Sequence, residues 1–142
     1  MMMLVSLYLV FLGFSFHQDP DPLSKYLWKQ RVIIIYSPTL DAQHQKQLAE
    51  LTQAEPGITD RDLVILSLFS TSGYGPKKEP LEVQDQRFLK QAYIAPKDEF
   101  RFLLIGKDGG VKLDRTEMIT PTELFAVIDK MPMRINEMKR KQ

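Results

Sequence analysis

Hydrophobic residues in this chain come as short continuous runs separated by polar, breaker-rich stretches. Val32-Ile-Ile-Ile-Tyr36 and Leu63-Val-Ile-Leu-Ser-Leu-Phe69 are apolar at nearly every position, the pattern of strands covered on both faces. Phe102 to Ile105 is a third such run, followed by Lys107-Asp-Gly-Gly110. Asp-Gly between two apolar segments predicts a hairpin. Val111 and Leu113 then alternate with Lys112 and Asp114, as in a half-buried return strand.

Between the first two runs, Asp41 is placed to cap a helix whose apolar stripe is Leu48, Leu51 and Ala54, and Pro56-Gly57 is expected to stop it. Strand, helix, strand in this order implies a right-handed crossover and a parallel pair. Upstream, Leu23, Tyr26 and Leu27 stand at helical spacing and are expected to bring Trp28 onto the core. Ser70 to Glu82 reads as a polar loop, and Asp85 to Tyr93 as a short helix with Phe88, Leu89 and Ala92 inward. Thr120-Pro-Thr-Glu123 is a capping box opening a helix with Leu124, Phe125, Ile128 and Met131 on one face. Pro132 breaks that helix, and Met133 to Gln142 adds a turn or two.

Composition narrows the picture. The chain has 142 residues, 44% of them hydrophobic, enough for one domain with one core. Residues Met1 to Phe16 carry no charged side chain, and their apolar stretch, Leu4 to Leu12, falls short of the roughly 20 residues of a spanning helix. With Gly13 and Ser15 as small residues ahead of a cleavage point, residues 1–16 read as a signal peptide or N-terminal anchor. An exported protein, periplasmic or extracellular, follows from that reading. Asp19-Pro-Asp-Pro22 marks the boundary to a domain over 23–138, and 139–142 form a basic tail. A net charge of +1 gives no footprint for nucleic acid, and a membrane contact is expected only through the N-terminal segment. The absence of cysteine removes disulfides, thiolate metal sites and cysteine nucleophiles. His17 and His44 are the only histidines. Each reads as solvated, so neither a metal nor a cofactor is expected.

The order strand, helix, strand, helix, hairpin, helix is that of a thioredoxin-like α/β fold. The expectation is a central mixed sheet of about four strands, a parallel β-α-β pair plus an antiparallel hairpin, with helices on both faces. Such folds place a thiol at the first strand–helix turn, where the helix N-terminus lowers its pKa. Here that turn is Ser37-Pro-Thr-Leu-Asp-Ala-Gln-His-Gln45. A Cys-x-x-Cys pattern laid on it meets Leu40 and Gln43. The peroxiredoxin pattern Pro-x-x-x-Thr-x-x-Cys, set on Pro38, meets Ala42 and Gln45. Neither chemistry survives. The cis-proline such folds carry before the hairpin strand also reads as missing, with Arg101 in its place and Pro96 too early. What remains at the turn is Ser37, Thr39, Asp41 and, from the neighbouring strand, Arg101. Beside a helix N-terminus this set is expected to prefer a small anion or a carboxylate.

The chain resembles the DUDES family of thioredoxin- and peroxiredoxin-like domains of unknown function, found as small exported bacterial proteins and in secreted animal matrix proteins. The likeness is carried by Tyr26-x-Trp28-x-x-Arg31-Val32, by the strand ending in Ser37-Pro38, by Asp60-Arg61-Asp62-Leu63, by Gly106-Lys107-Asp108-Gly109-Gly110, and by Ile128-Asp129-x-Met131-Pro132-Met133-Arg134-x-x-Glu137. The resemblance implies the fold and no settled activity. Each motif also has a plain reading: a turn at Lys107–Gly110, since it joins two strands and opens no helix, paired charges in Arg61-Asp62 and Asp129-Arg134, and flexible core filler in Met131, Met133 and Met138. The function expected is therefore a binding or scaffold module, with an unknown protein or a small anionic ligand as partner. The alternatives are an enzyme with a cysteine-free site at the Ser37–Asp41 turn, where Asp41 or His44 is the base a hydroxyl nucleophile needs, and a structural part of an envelope assembly.

Overall fold

The computed structural model describes residues 19–142; the segment read as a leader, and His17, lie outside the described residues. Five strands form one sheet: β1 (Arg31–Tyr36), β2 (Leu63–Leu68), β3 (Gly73–Tyr74), β4 (Arg101–Ile105) and β5 (Val111–Arg115). The helices are α1 (Ala42–Gln53), α2 (Glu55–Asp60), α3 (Val83–Leu89, continued by a wider π turn over Lys90–Ile94), α4 (Pro121–Asp129) and α5 (Pro132–Arg140). The order across the sheet is β3-β2-β1-β4-β5. β1 runs parallel to β2, with Val32 opposite Val64, and antiparallel to β4, with Tyr36 opposite Arg101.

Every residue of β1 is buried, because it is the middle strand and both faces are covered. Successive side chains point to opposite faces, so Ile33 and Ile35 enter one core with Leu51, Ile58, Leu124 and Ile128 of the helices on that side. Val32, Ile34 and Tyr36 enter a second core with Leu23, Leu89 and Ile94. The continuous apolar run in the sequence is the sum of two alternating patterns. Among the described residues no helix is long and apolar enough to cross a membrane.

Several expectations need correction. The sheet has five strands where about four were expected, because the Ser70–Glu82 loop folds back as β3, a two-residue edge strand held by Ser67 and Leu68. Pro56 does not end the helical region: it sits in the first turn of α2, where its missing N–H costs nothing. Trp28 does not reach the core. It is 67% exposed with φ of 63°, and its backbone N–H donates to the Lys107 carbonyl at 2.7 Å. Residues 132–140 form a full helix whose buried residue is an arginine, Arg134; the expected basic tail is in part the end of α5. A cis peptide does precede β4, at Ala95–Pro96. Only half of the capping box forms: Thr120 accepts from the Glu123 amide, while the Glu123 carboxylate takes Arg115.

The hairpin turn follows the sequence. Gly109 has φ of +84°, and the Gly109 N–H donates to the Gly106 carbonyl at 3.0 Å. A β-carbon at Gly109 would also stand 3.1 Å from Leu27 Cδ2. Gly109→Ala is therefore expected to lower stability by about 1–2 kcal/mol, the cost of holding an L-residue in the left-handed region. Chemical denaturation followed by circular dichroism measures it, and an unchanged midpoint would contradict the argument.

Candidate functional site

The first strand–helix turn carries β1 into α1. Asp41 caps α1, its Oδ1 accepting from the His44 amide at 2.8 Å. Spaced three and four residues apart, His44, Gln47 and Leu51 lie on one face of α1, and that face is buried. His44 is thus not solvated, as the sequence reading had it, but fully buried, with Ser37 Oγ 3.2 Å from its Nδ1. Phe69, at the end of β2, lies over the imidazole with ring centroids 4.5 Å apart. His44 Nε2 is buried without a hydrogen-bond partner among the described residues. Burial pushes the His44 pKa below its ordinary value, and the nearby Asp41 carboxylate opposes this only in part. Gln47 is satisfied: its amide brackets Ile119, donating to the carbonyl at 3.0 Å and accepting from the N–H at 2.9 Å.

Of the four residues expected to form a ligand site here, three are engaged by other protein groups. Ser37 faces His44 and is fully buried, Asp41 is occupied as a cap, and Thr39 is exposed. Arg101 lies next to Tyr36 in register, as expected, but Asp114 takes its guanidinium in two bonds of 2.8 and 2.6 Å. Among the described residues no group of three His, Asp or Glu is placed to hold a metal ion.

The motif residues, by contrast, converge at the opposite end of the sheet, where β1 and β2 begin. Arg31, 1% exposed, donates from both terminal nitrogens to Glu137 of α5 at 3.2 Å and to the Arg61 carbonyl at 2.9 Å. Lys107, at the hairpin, reaches Glu137 at 2.7 Å and Asp62 at 2.8 Å. Arg61 pairs with Asp129 in two bonds of 3.0 and 2.7 Å and lies 4.0 Å over the Phe125 ring. Arg134 joins Asp129 and Asp60. The expected Asp129–Arg134 pair is present; Arg61 and Asp62 instead take Asp129 and Lys107. Burial alone would raise the Asp129 and Glu137 carboxyls, but the arginines and Lys107 bonded to them hold both below the usual range. Chemically this is a structural clamp, tying the last helix to the strand starts through charge-assisted bonds. The sequence reading offers His44 only as a base for a hydroxyl at the turn and does not place Gln47 or Phe69 in the site, since a buried polar face breaks the apolar periodicity on which such reading rests.

The likeness to known proteins is consistent with this geometry. The reduced 2-Cys peroxiredoxin of Plasmodium vivax superposes with a TM-score of 0.57 at 16% identity, over 84% of this chain and 85% of that one. The apo form of Trgpx gives a TM-score of 0.45 at 19% identity, over 82% of this chain and 85% of that one. No curated protein matches the sequence. The sheet order and the superposition on the peroxiredoxin make the fold the thioredoxin-like α/β arrangement. Residues 22–137, which hold the strands, the hairpin and the whole motif clamp, match the family described as Domain of unknown function (DUF4174), and the chain belongs to that family.

Proposed function

We propose that this protein is a binding or scaffold module that has the thioredoxin-like fold without its thiol chemistry. One observation carries the reading: the turn where such folds place a thiolate has no cysteine and is closed by the buried Ser37–His44 pair under Phe69. Without a thiolate there is neither a nucleophile for peroxide nor a partner for disulfide exchange. Export belongs to the same reading and is supported by the uncharged Leu4–Leu12 stretch; the intact mass of protein recovered from an exporting host decides cleavage.

A second reading is favoured by the 3.2 Å contact between Ser37 Oγ and His44 Nδ1, the spacing of a nucleophile and its base. Burial argues against it, because a substrate carbonyl must reach Oγ. The two readings separate in one set of assays. For the module, insulin reduction and peroxide consumption match buffer, and a fluorophosphonate probe leaves Ser37 unmodified. Turnover above background, or an adduct on Ser37 by peptide mass spectrometry, would replace the module with an enzyme.

A further inference from the structure

The edge of the sheet beside β2 is only partly closed. The Arg31 N–H donates to the Asp62 carbonyl and the Ser37 N–H to the Leu68 carbonyl. With β1 and β2 in parallel register, these two bonds fix the phase of the ladder. Val64, Leu66 and Leu68 turn their N–H and C=O groups toward β1, whereas Leu63, Ile65 and Ser67 turn theirs outward. β3 takes Ser67, opposite Tyr74, and ends there. Leu63 and Ile65 are left with two donors and two acceptors that no other described residue meets.

Exposed edges are normally blunted by charge, proline or a bulge. Leu63-Val-Ile-Leu66 has no charge and no proline, and its pairing with β1 is regular. It runs along a groove of about 760 Å³. One wall is α1 and α2, with Leu48, Thr52 and Glu55; the other is the turn after β3, with Pro76 and Lys78. That turn is closed by its own bonds, Gly75 N–H to the Glu79 carbonyl at 2.8 Å and Lys78 N–H to the Gly75 carbonyl at 3.0 Å. Leu48 and Ile65 are partly buried on the α1 side of the sheet, and Val64 on the other. Each wall also bears a charge that is in no ion pair among the described residues. Glu55, on the helix side, accepts from Thr59, and Lys78 stands on the turn side. Glu79 is turned into its own loop, where its carboxylate accepts from the Lys77 amide at 2.7 Å.

We propose that this edge binds an extended peptide segment of another protein, added antiparallel to β2 in the track that β3 leaves empty. The inference rests on the binding-module reading and supplies its partner class. The unmet groups of Leu63 and Ile65 are complementary to a main chain, and the two charges sort its side chains. Residues opposite Leu63 and Ile65 point to the α1 side, where Leu48 and Ile65 give apolar contact and Glu55 disfavours a carboxylate. The residue between them points to the turn side, where Lys78 favours one. The segment is thus apolar, acidic, apolar. A second copy of this chain fits poorly. Antiparallel pairing of two β2 strands through Leu63 and Ile65 would bring Arg61 of the second copy opposite Ser67, where Tyr74 already pairs.

The test uses the full chain and the peptide Ser-Val-Glu-Val-Ser, blocked at both ends. With about three residues paired, half-saturation is expected at roughly 1 mM. In the free chain the Ile65 amide should exchange with solvent faster than those of Val64 and Leu66, which are bonded to β1. At about ten times the half-saturating concentration it should exchange about tenfold more slowly. The peptide N-methylated at both valines, whose amides would face β2, should not bind, and the one N-methylated at glutamate should. Ser-Val-Lys-Val-Ser should bind about threefold more weakly, Lys78→Glu should reverse that preference, and Lys139→Glu on α5 should leave it unchanged. Ile65→Pro, which removes an outward N–H and no bond to β1, should lose binding; should it fail to fold, Lys78→Glu and the methylated peptides still decide. No slowing at Ile65, or equal binding of the valine-methylated peptide, overturns the inference. So does an Ile65 amide already protected in a dimer seen by sedimentation velocity without peptide, and so do NMR shifts confined to Ser37, Thr39 and Asp41. The module reading survives each of these while the thiol assays match buffer; turnover or a Ser37 adduct overturns that reading and not the edge.

Discussion

Glu137→Leu is expected to cost about 3–5 kcal/mol, the penalty for breaking a buried ion pair by removing one partner. Among the described residues Glu137 is the only carboxylate bonded to Arg31, and it is shared with Lys107. Its loss leaves the Arg31 guanidinium, 2% exposed, with only the Arg61 carbonyl. Against a total stability that is typically about 5–15 kcal/mol, such a loss brings a single domain near its limit. Removing both charges should be milder: in Arg31→Met/Glu137→Leu no cation is stranded, because Lys107 keeps Asp62, and most of the loss should be recovered. Urea denaturation followed by far-ultraviolet circular dichroism is the suitable measurement, since the one tryptophan, Trp28, already lies in solvent. If Glu137→Leu costs less than about 1 kcal/mol, the value of a surface pair, the clamp does not hold α5.

Stability should also fall on mild acidification, beginning near pH 6.5, because of His44. Its folded-state pKa lies below the ordinary 6.5 through burial. As the pH drops, the unfolded chain therefore takes up a proton before the folded one does. Stability is complete above pH 6.5 and declines below it by up to about 1.4 kcal/mol per pH unit, until the folded histidine protonates as well. The clamp carboxylates act lower. Lys141 and Arg134 hold the Asp60 pKa at about 2, and Asp129 and Glu137 also lie below their ordinary values. Their stabilisation is present above their unfolded values, near 4, and is lost only beneath them. The window from about pH 6.5 to 4.5 thus belongs to His44, and His44→Leu should flatten it. A wild-type melting temperature that is constant across this window would show that the imidazole is not held neutral.

The parts of the fold that could be read from the sequence are those where burial and periodicity agree. β1, β2 and β4 are continuous apolar runs because they lie inside the sheet, and the Asp108-Gly109 turn needs the positive φ that glycine supplies. β3 left no trace, since two residues, one of them glycine, make no pattern. The length of α5 was hidden because its buried residue is Arg134, whose burial is made tolerable by Asp60 and Asp129 and not by apolar neighbours. Trp28 was misplaced because a large apolar residue reads as core, while a left-handed backbone at its position turns it outward. The motif residues could be recognised as a set, but not as a clamp: Arg31 and Glu137 are 106 positions apart and Arg61 and Asp129 are 68 apart, and no local rule pairs charges over such distances.

β1 supplies residues to both cores at once, two to one and three to the other. Neither layer of helices can then detach without uncovering one side of a strand that the other layer still needs. The fold has no seam along which half of it could melt while the other half persisted. Such a chain behaves as one cooperative unit, and a lesion in either layer is felt as a loss for the whole.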